Sequence, residues 1–214
     1  MSFFVRNFIF CVVLFVLCAV FYPALVTLFS QTFMPYKANG SLIDANKNEV
    51  LDASSAVGSA LIGQSFSKPY FFTPRISSIN YNTYTKEQKQ SGDFAGVASG
   101  SFNYAPSNEA LIKRTQEDLA RFLEQNPSVK KEQIPADLLS ASGSGLDPHI
   151  SVQAARIQIP RIAAHSRLSQ SELEAIIQAN TQKKFLGIFG EEGVNVLLCN
   201  LDIAKKMGLL ANER

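Results

Sequence analysis

The hydropathy pattern divides the chain in two. Phe8–Phe29 reads FIFCVVLFVLCAVFYPALVTLF, almost wholly apolar, and no charged residue falls between Arg6 and Lys37. About 20 apolar residues, each rising roughly 1.5 Å, cross a hydrocarbon core of roughly 30 Å, so this run predicts a membrane-spanning helix. It exceeds the apolar core of a cleaved signal peptide, roughly 7–15 residues, and the SQTFMPYK that follows has no Ala-x-Ala pattern. A lipoprotein signal is disfavoured because Leu17 precedes Cys18, where a small residue is wanted. The expectation is an uncleaved anchor. Pro23 lies inside it and calls for a local adjustment that satisfies the carbonyl it leaves without a donor.

Beyond the anchor the apolar stretches shorten. Through residues 38–72, pieces such as Val57–Ile62 alternate with Gly, Asn and Ser, which predicts short strands and turns. Residues 73–108 are polar and rich in Tyr and Asn, a connection long enough to be functional or disordered. Ser107 or Asn108 then caps a helix starting at Glu109, with Leu111, Thr115, Leu119, Phe122 and Leu123 at helical spacing. Glu109–Lys113 and Glu117–Arg121 are its expected solvent-side pairs, and Asn126-Pro127 its stop. A second helix is expected from Val152, capped by Ser151, to about His165, interrupted or kinked at Pro160. A third opens at the capping box Ser169-x-x-Glu172 and carries Leu173, Ile176 and Ile177 inward. GVNVLLCNL (Gly193–Leu201) reads as a strand buried on both faces.

Helices after strands, without regular βαβ alternation, give an α+β class: one N-terminal transmembrane helix followed by a single extracytoplasmic mixed α/β domain. The boundaries expected are a short cytoplasmic N-terminus over 1–7, the transmembrane helix over 8–29 and the extracytoplasmic α+β domain over 30–214. Arg6 and the terminal amine precede the span and Lys37 follows it, which favours a cytoplasmic N-terminus in a single-pass plasma (inner) membrane protein. Twenty basic and eighteen acidic residues leave a net charge of +2, so nothing calls for nucleic acid. Of three cysteines, Cys11 and Cys18 fall in the span and Cys199 stands alone outside it, so packing rather than disulfides must hold the domain.

The stretch most suggestive of chemistry is ASGSGLDPHIS (141–151), which holds one of only two histidines. It has no Lys for a phosphate loop. Gly143-Ser144-Gly145 is followed by Leu146, Asp147 and Pro148, so the dinucleotide pattern fails. Ser142 and Leu146 stand where a nucleophile elbow centred on Ser144 needs glycines. Asp147 and His149 are two apart across a proline, and no Ser or Cys is marked as their nucleophile. His149 and His165 lack the companions of a metal site. What remains is an ordered turn entering a helix, with Asp147 accepting backbone N–H bonds and Pro148 fixing a dihedral.

The stretch Pro135–Ala163 resembles the C subunit of the Kdp potassium-transporting ATPase, and the likeness covers nearly the whole chain. Tyr22-Pro23 and Ala38-Asn39-Gly40-Ser41-Leu42-Ile43 are similar to that family's anchor exit. Gly58–Phe66, with Phe71-Phe72 and Arg75 beyond it, resembles a further block. So do Ser99-Gly100, Asn103, Pro106-Ser107-Asn108 and Leu111 within Ala98–Leu111, and so does Gly190–Leu201. The blocks stand in order behind one anchor. Departures are Ile76 and Val152 in place of Pro, Ser101 and Phe102 in place of small residues, and Glu192-Gly193 in place of Pro-Arg.

The resemblance implies an accessory subunit of a high-affinity ATP-driven K⁺ uptake pump, not itself catalytic. Its expected partners are a channel-like K⁺-binding subunit, a P-type ATPase subunit and a small single-span subunit, together with membrane lipid. It implies no catalytic residue, metal or bound cofactor here. ATP and Mg act at the catalytic subunit, whose ATP affinity the family is credited with raising as a catalytic chaperone. The turn Ser142, Gly143, Ser144, Gly145, Leu146, Asp147, Pro148, His149, Ile150 and Ser151 is then read as rigid, serving internal structure ahead of direct partner contact. Gln64, Arg75, Asn108, Gln158, Arg161, Asn195 and Asn200 are candidate contacts, with Arg161 expected in solvent. The alternatives are an anchored extracytoplasmic ligand-binding or sensor domain and an anchored hydrolase.

Overall fold

The computed structural model describes residues 2–92 and 96–210, in two compact units. Among the described residues, one comprises 2–44 and 48–59, the other 45–47, 60–92 and 96–210.

The first unit is dominated by one helical run, Phe3–Phe33, made of α1 (Phe3–Phe15), a π-helical segment (Val16–Phe21) and α2 (Tyr22–Phe33). Its 31 residues are long and apolar enough to cross a membrane, and none of its most apolar window is covered by the rest of the chain. The π segment has a local cause. Within an α-helix the Pro23 ring would collide with the carbonyl four residues back, at Ala19, and would leave that carbonyl without a donor. Widening the turn before the proline relieves the collision, and the Tyr22 N–H donates to Leu17 O, five residues back. At the far end Thr32 Oγ1 donates to Leu28 O at 2.7 Å, a polar side chain turned back onto its own helix. The short α3 (Pro35–Ala38) follows, and Asn39 exchanges two amide hydrogen bonds with Gln31. Strands β1 (Leu42–Ile43) and β2 (Gly58–Ser59) then pair antiparallel.

The second unit carries α4 (Lys86–Ser91), α5 (Glu109–Gln125), β3 (His149–Ile150), α6 (Val152–Arg156), α7 (Ile159–Ser166), α8 (Gln170–Ala179), β4 (Thr181–Gln182), β5 (Gly193–Asn195) and α9 (Val196–Lys206). The three strands form an antiparallel sheet in the order β3-β5-β4, with Ile150 opposite Val194 and Thr181 opposite Val194 on the other side. The apolar faces of α6 to α9 close over it. Ile150, Ala154, Ile162, Leu173, Ile177, Val194, Cys199 and Ile203 form one cluster, with Phe72 and Phe122 joining from outside the sheet. Large apolar side chains in such a cluster contribute roughly 1.5–3 kcal/mol each. Burial pushes the Cys199 thiol up to about 12, so it behaves as a small apolar filler.

The α+β class is as expected, and so are the Asn108 cap of α5, its end at Gln125 and the reciprocal Ser169/Glu172 box of α8. Other expectations are corrected. Gly193–Leu201 is not one strand: Asn195 Oδ1 accepts the Leu198 N–H at 3.1 Å, caps α9 and turns the apolar run helical. A continuous apolar run satisfies either element when all sides are buried, and a capping Asn decides between them. The helix expected over 152–165 is, as anticipated, interrupted at Pro160 rather than kinked: α6 ends at Arg156, and the proline sits in the first turn of α7, where its missing N–H costs nothing. On α5 the ion pairs are Arg114–Asp118 at 2.8 Å and Arg121–Asp118 at 3.3 Å, with Arg121 given to Asp118 rather than Glu117.

Candidate functional site

The 142–151 turn is a crossroads. Its backbone is tied in sequence to four distant segments. Ser142 N–H donates to Ile76 O at 3.1 Å. Ser144 O accepts the Gly100 N–H at 2.8 Å and the Ser99 hydroxyl at 3.1 Å. Gly145 O accepts the Ser77 hydroxyl at 2.6 Å, and Leu146 O accepts the Gly63 N–H at 2.7 Å. Pro148 O accepts the Val196 N–H at 2.9 Å. At its exit Ser151 caps α6 while its own N–H and hydroxyl donate to the Asp137 carboxylate, at 2.7 and 3.2 Å.

Two glycines make this approach possible. A Cβ on Gly63 would stand 2.5 Å from Asp147 O, and one on Gly145 would meet Ile79 at 2.7 Å and Gly100 O at 2.9 Å. Gly145 also has φ +70°, a left-handed conformation that costs a side-chain-bearing residue about 1–2 kcal/mol. Facing it, Asn80, Tyr81 and Asn82 all adopt positive φ. They are held there by Ser77 Oγ accepting the Tyr81 N–H at 2.9 Å and by the Tyr81 hydroxyl donating to Arg75 O. Burial, and then the Asp147 charge, push the Tyr81 hydroxyl well above the usual range, so it remains a donor.

Asp147 is the turn's one strongly perturbed acid. The His149 side chain first, and then the His149 N–H and the Arg75 guanidinium, hold its carboxyl down to about 2 against the opposing effect of partial burial. The His149 Nδ1 stands 3.7 Å away, longer than an ordinary hydrogen bond. The 2.8 Å contact from Arg75 Nη1 is the better made of the two. Arg75, Asp137, Asp147, His149, Gln182 and Glu191 share the lining of a cleft of about 730 Å³. The cleft's serine, Ser151, is committed to capping, so Asp147 and His149 face no free nucleophile in it. Among the described residues no group of three or more His, Cys, Asp or Glu is placed to hold a metal ion.

Of the remaining candidates, Gln64 is half-buried and Asn108 is exposed as the cap of α5. Gln158, Asn195 and Asn200 are buried and bonded within the domain: Gln158 to Thr73 N and O, Asn195 to Ala60 O, Asn200 to Phe72 N and O. Arg161 corrects the expectation of a solvated side chain, being only 8 % exposed. Its guanidinium donates to Asn126 Oδ1, Pro69 O, Phe71 O, Thr73 Oγ1 and Gln158 Oε1 at 2.5–3.3 Å. Desolvation alone lowers it to about 10, so it stays charged at neutral pH amid neutral acceptors. Arg161 therefore acts as a pin gathering the 69–73 strap, Asn126 and Gln158. Sequence reasoning missed this role, and the signal available was an Arg three residues after Gln158 on a short amphipathic helix.

Three of the departures also find local accounts. Phe102 stacks on Tyr104 with ring centroids 5.3 Å apart and lies under the Arg114 guanidinium. Val152 occupies the first position of α6 behind an intact Ser151 cap. A Cβ on Gly193 would press to 3.1 Å of His149, which gives that ring its room.

The family described as "K+-transporting ATPase, c chain" (KdpC) matches residues 4–205. The chain belongs to the KdpC family. A Potassium-transporting ATPase KdpC subunit of Clostridium kluyveri is 52% identical over 204 residues, spanning 95% of this chain and 94% of its own. One from Clostridioides difficile is 50% identical over 93% of this chain and 95% of its own. One from Bacillus cereus is 44% identical over 90% of each. The KdpC match thus runs through the apolar helix, the turn and the sheet alike.

Proposed function

We propose that this chain is the single-span accessory subunit of an ATP-driven K⁺ uptake pump and is itself non-catalytic. Its helix lies in the plasma membrane with the N-terminus inside and packs on the channel-like K⁺-binding subunit. Its α+β domain lies outside the cytoplasm, over that subunit's outer mouth, and stabilises the assembly with the P-type ATPase subunit. The observation that carries this reading is the Phe3–Phe33 helix. It presents apolar side chains all round, has no part of its most apolar window covered by the rest of the chain, and has no charged residue between Arg6 and Lys37. Such a helix is an anchor and a packing surface. A K⁺ path needs rings of oxygens in place of the hydration shell. Family membership supplies the pump it belongs to.

The turn fits the same reading, since its backbone carbonyls, Asp147 and Ser151 are spent on shaping the domain. On this topology the domain is across the membrane from cytoplasmic ATP. Any rise in the catalytic subunit's ATP affinity then reaches it through partner subunits, as a coupling of about 1–3 kcal/mol. The charged cleft beside Asp147 keeps one rival in view, an anchored ligand-binding domain acting without a pump. A C-terminally tagged chain purified in mild detergent from K⁺-starved cells separates the two. Recovery of a P-type ATPase and a polytopic K⁺ subunit is the expected result, and recovery of this chain alone overturns it.

A further inference from the structure

The connection between β4 and β5 reads KKFLGIFGEE over residues 183–192, and it folds as a small closed hairpin. Phe185 and Phe189 are bridged, Phe185 N–H donating to Phe189 O at 2.8 Å and Phe189 N–H to Phe185 O at 3.0 Å. The Gly187 N–H donates to Lys184 O at 3.1 Å and the Ile188 N–H to Phe185 O at 3.2 Å. The reversal uses positive φ at Leu186 (+52°) and Gly187 (+73°). A leucine in that conformation is strained, its Cβ crowding the carbonyl that follows. The strain brings no packing within the domain: Phe185, Leu186, Ile188 and Phe189 are 62–75 % exposed and stand outside the core cluster.

Phe185 and Phe189, 70 % and 62 % exposed, show about 200–300 Å² between them at the roughly 150–250 Å² that a large aromatic can bury, and Leu186 and Ile188 extend the patch. Contiguous exposed apolar patches of a few hundred Å² are often functional. One partner of a standard protein interface buries about 800 Å², so the tip supplies a substantial part of one side. The collar identifies the occupant. Lys183 and Lys184 precede the tip and Glu191 and Glu192 follow it, a balanced set, with Lys184 and Glu191 3.7 Å apart and the Glu191 side chain 92% exposed. An anionic bilayer surface rewards a basic collar and repels the two glutamates, whereas an apolar protein pocket with a polar rim accepts both signs. The hairpin's internal backbone bonds also let its tip be covered with little loss of hydrogen bonding.

We propose that the Phe185–Phe189 hairpin is a docking knob that seats in an apolar pocket on another protein subunit of the same pump. This rests on the accessory-subunit reading and names the surface that would perform it. The full-length chain, co-expressed with the pump subunits and carrying the photo-crosslinker benzoylphenylalanine at Phe185, is irradiated in native membranes. A covalent adduct with a pump subunit is expected. Adducts with lipid only, or a yield no higher than from the same probe at the exposed Val97, would overturn the knob. In parallel, Leu186→Ser with Ile188→Ser should reduce co-purification of the pump at least ten-fold while leaving the chain's own thermal unfolding unchanged. Full co-purification by that variant sinks the knob alone. Failure of the unaltered chain to co-purify sinks the accessory-subunit reading beneath it.

Discussion

Gly63 lets one segment pass directly under Asp147 O, and its N–H donates to the preceding carbonyl, Leu146 O, at 2.7 Å. Gly63→Ala places an atom 2.5 Å from that oxygen, and because the obstacle is backbone the segments must part. The expected loss is about 2–3 kcal/mol, as in overpacked cores, read as a lowered thermal midpoint of the detergent-solubilised chain. Asp147 gives a pH signature. Its folded value of about 2 lies below the ordinary carboxyl value, so its contribution is complete above about pH 4 and is lost as pH falls toward 2. Asp147→Asn should cost about 1–2 kcal/mol at pH 7, allowing for partial exposure. The difference from the parent chain should shrink as pH falls from about 4 and vanish only once pH has passed below the folded value of about 2. A difference independent of pH would remove the charge from the explanation. At this scale the sequence was half legible. The turn chemistry of Asp147 and Pro148 could be read directly, whereas Arg161 could not, because a lone basic residue is ordinarily solvated and its neutral acceptors lie far away in the chain.

The helices announce themselves by their caps. Asn108, Ser151, Ser169 and Asn195 each accept a backbone N–H two or three residues on, and each fixes where a helix starts. Three of the four could be read from the sequence because a polar cap precedes a periodic pattern. The fourth was hidden: VLLCNL is apolar enough to pass for a buried strand, and only the side-chain bond of Asn195 tips it into α9. The Ser169 box gives the clearest test at this scale. Its partner Glu172 is held to about 2 first by the Ser169 N–H and hydroxyl and then by Lys206, so it stays ionised at the helix N-terminus, where negative charge is favourable. Ser169→Ala should destabilise the chain by about 1 kcal/mol and should raise the Glu172 titration toward ordinary glutamate values, as followed by carbon NMR of the side-chain carboxyl. An unmoved titration would mean that the Ser169 N–H, which the substitution keeps, and Lys206 set it without the hydroxyl.

For the molecule as a whole, the pattern of one long apolar run and one mixed domain could be read at once, since hydropathy over some 20 residues is a strong signal. Short strands of two or three residues could not be placed, because pairing partners such as His149 and Asn195 are distant in the chain. Nor could the apolar hairpin be picked out: in sequence, FLGIF looks like any segment on its way to the core. The π segment ahead of Pro23 carries a last consequence. A widened turn holds one residue more than a regular one, and each α-helical residue advances the azimuth by about 100°. Phe3–Phe15 and Tyr22–Phe33 are therefore rotationally out of phase with a straight helix of the same sequence. The stripe of side chains along one half of the helix does not continue in line along the other. A widened turn near the middle thus gives the two halves apolar faces that point in different directions.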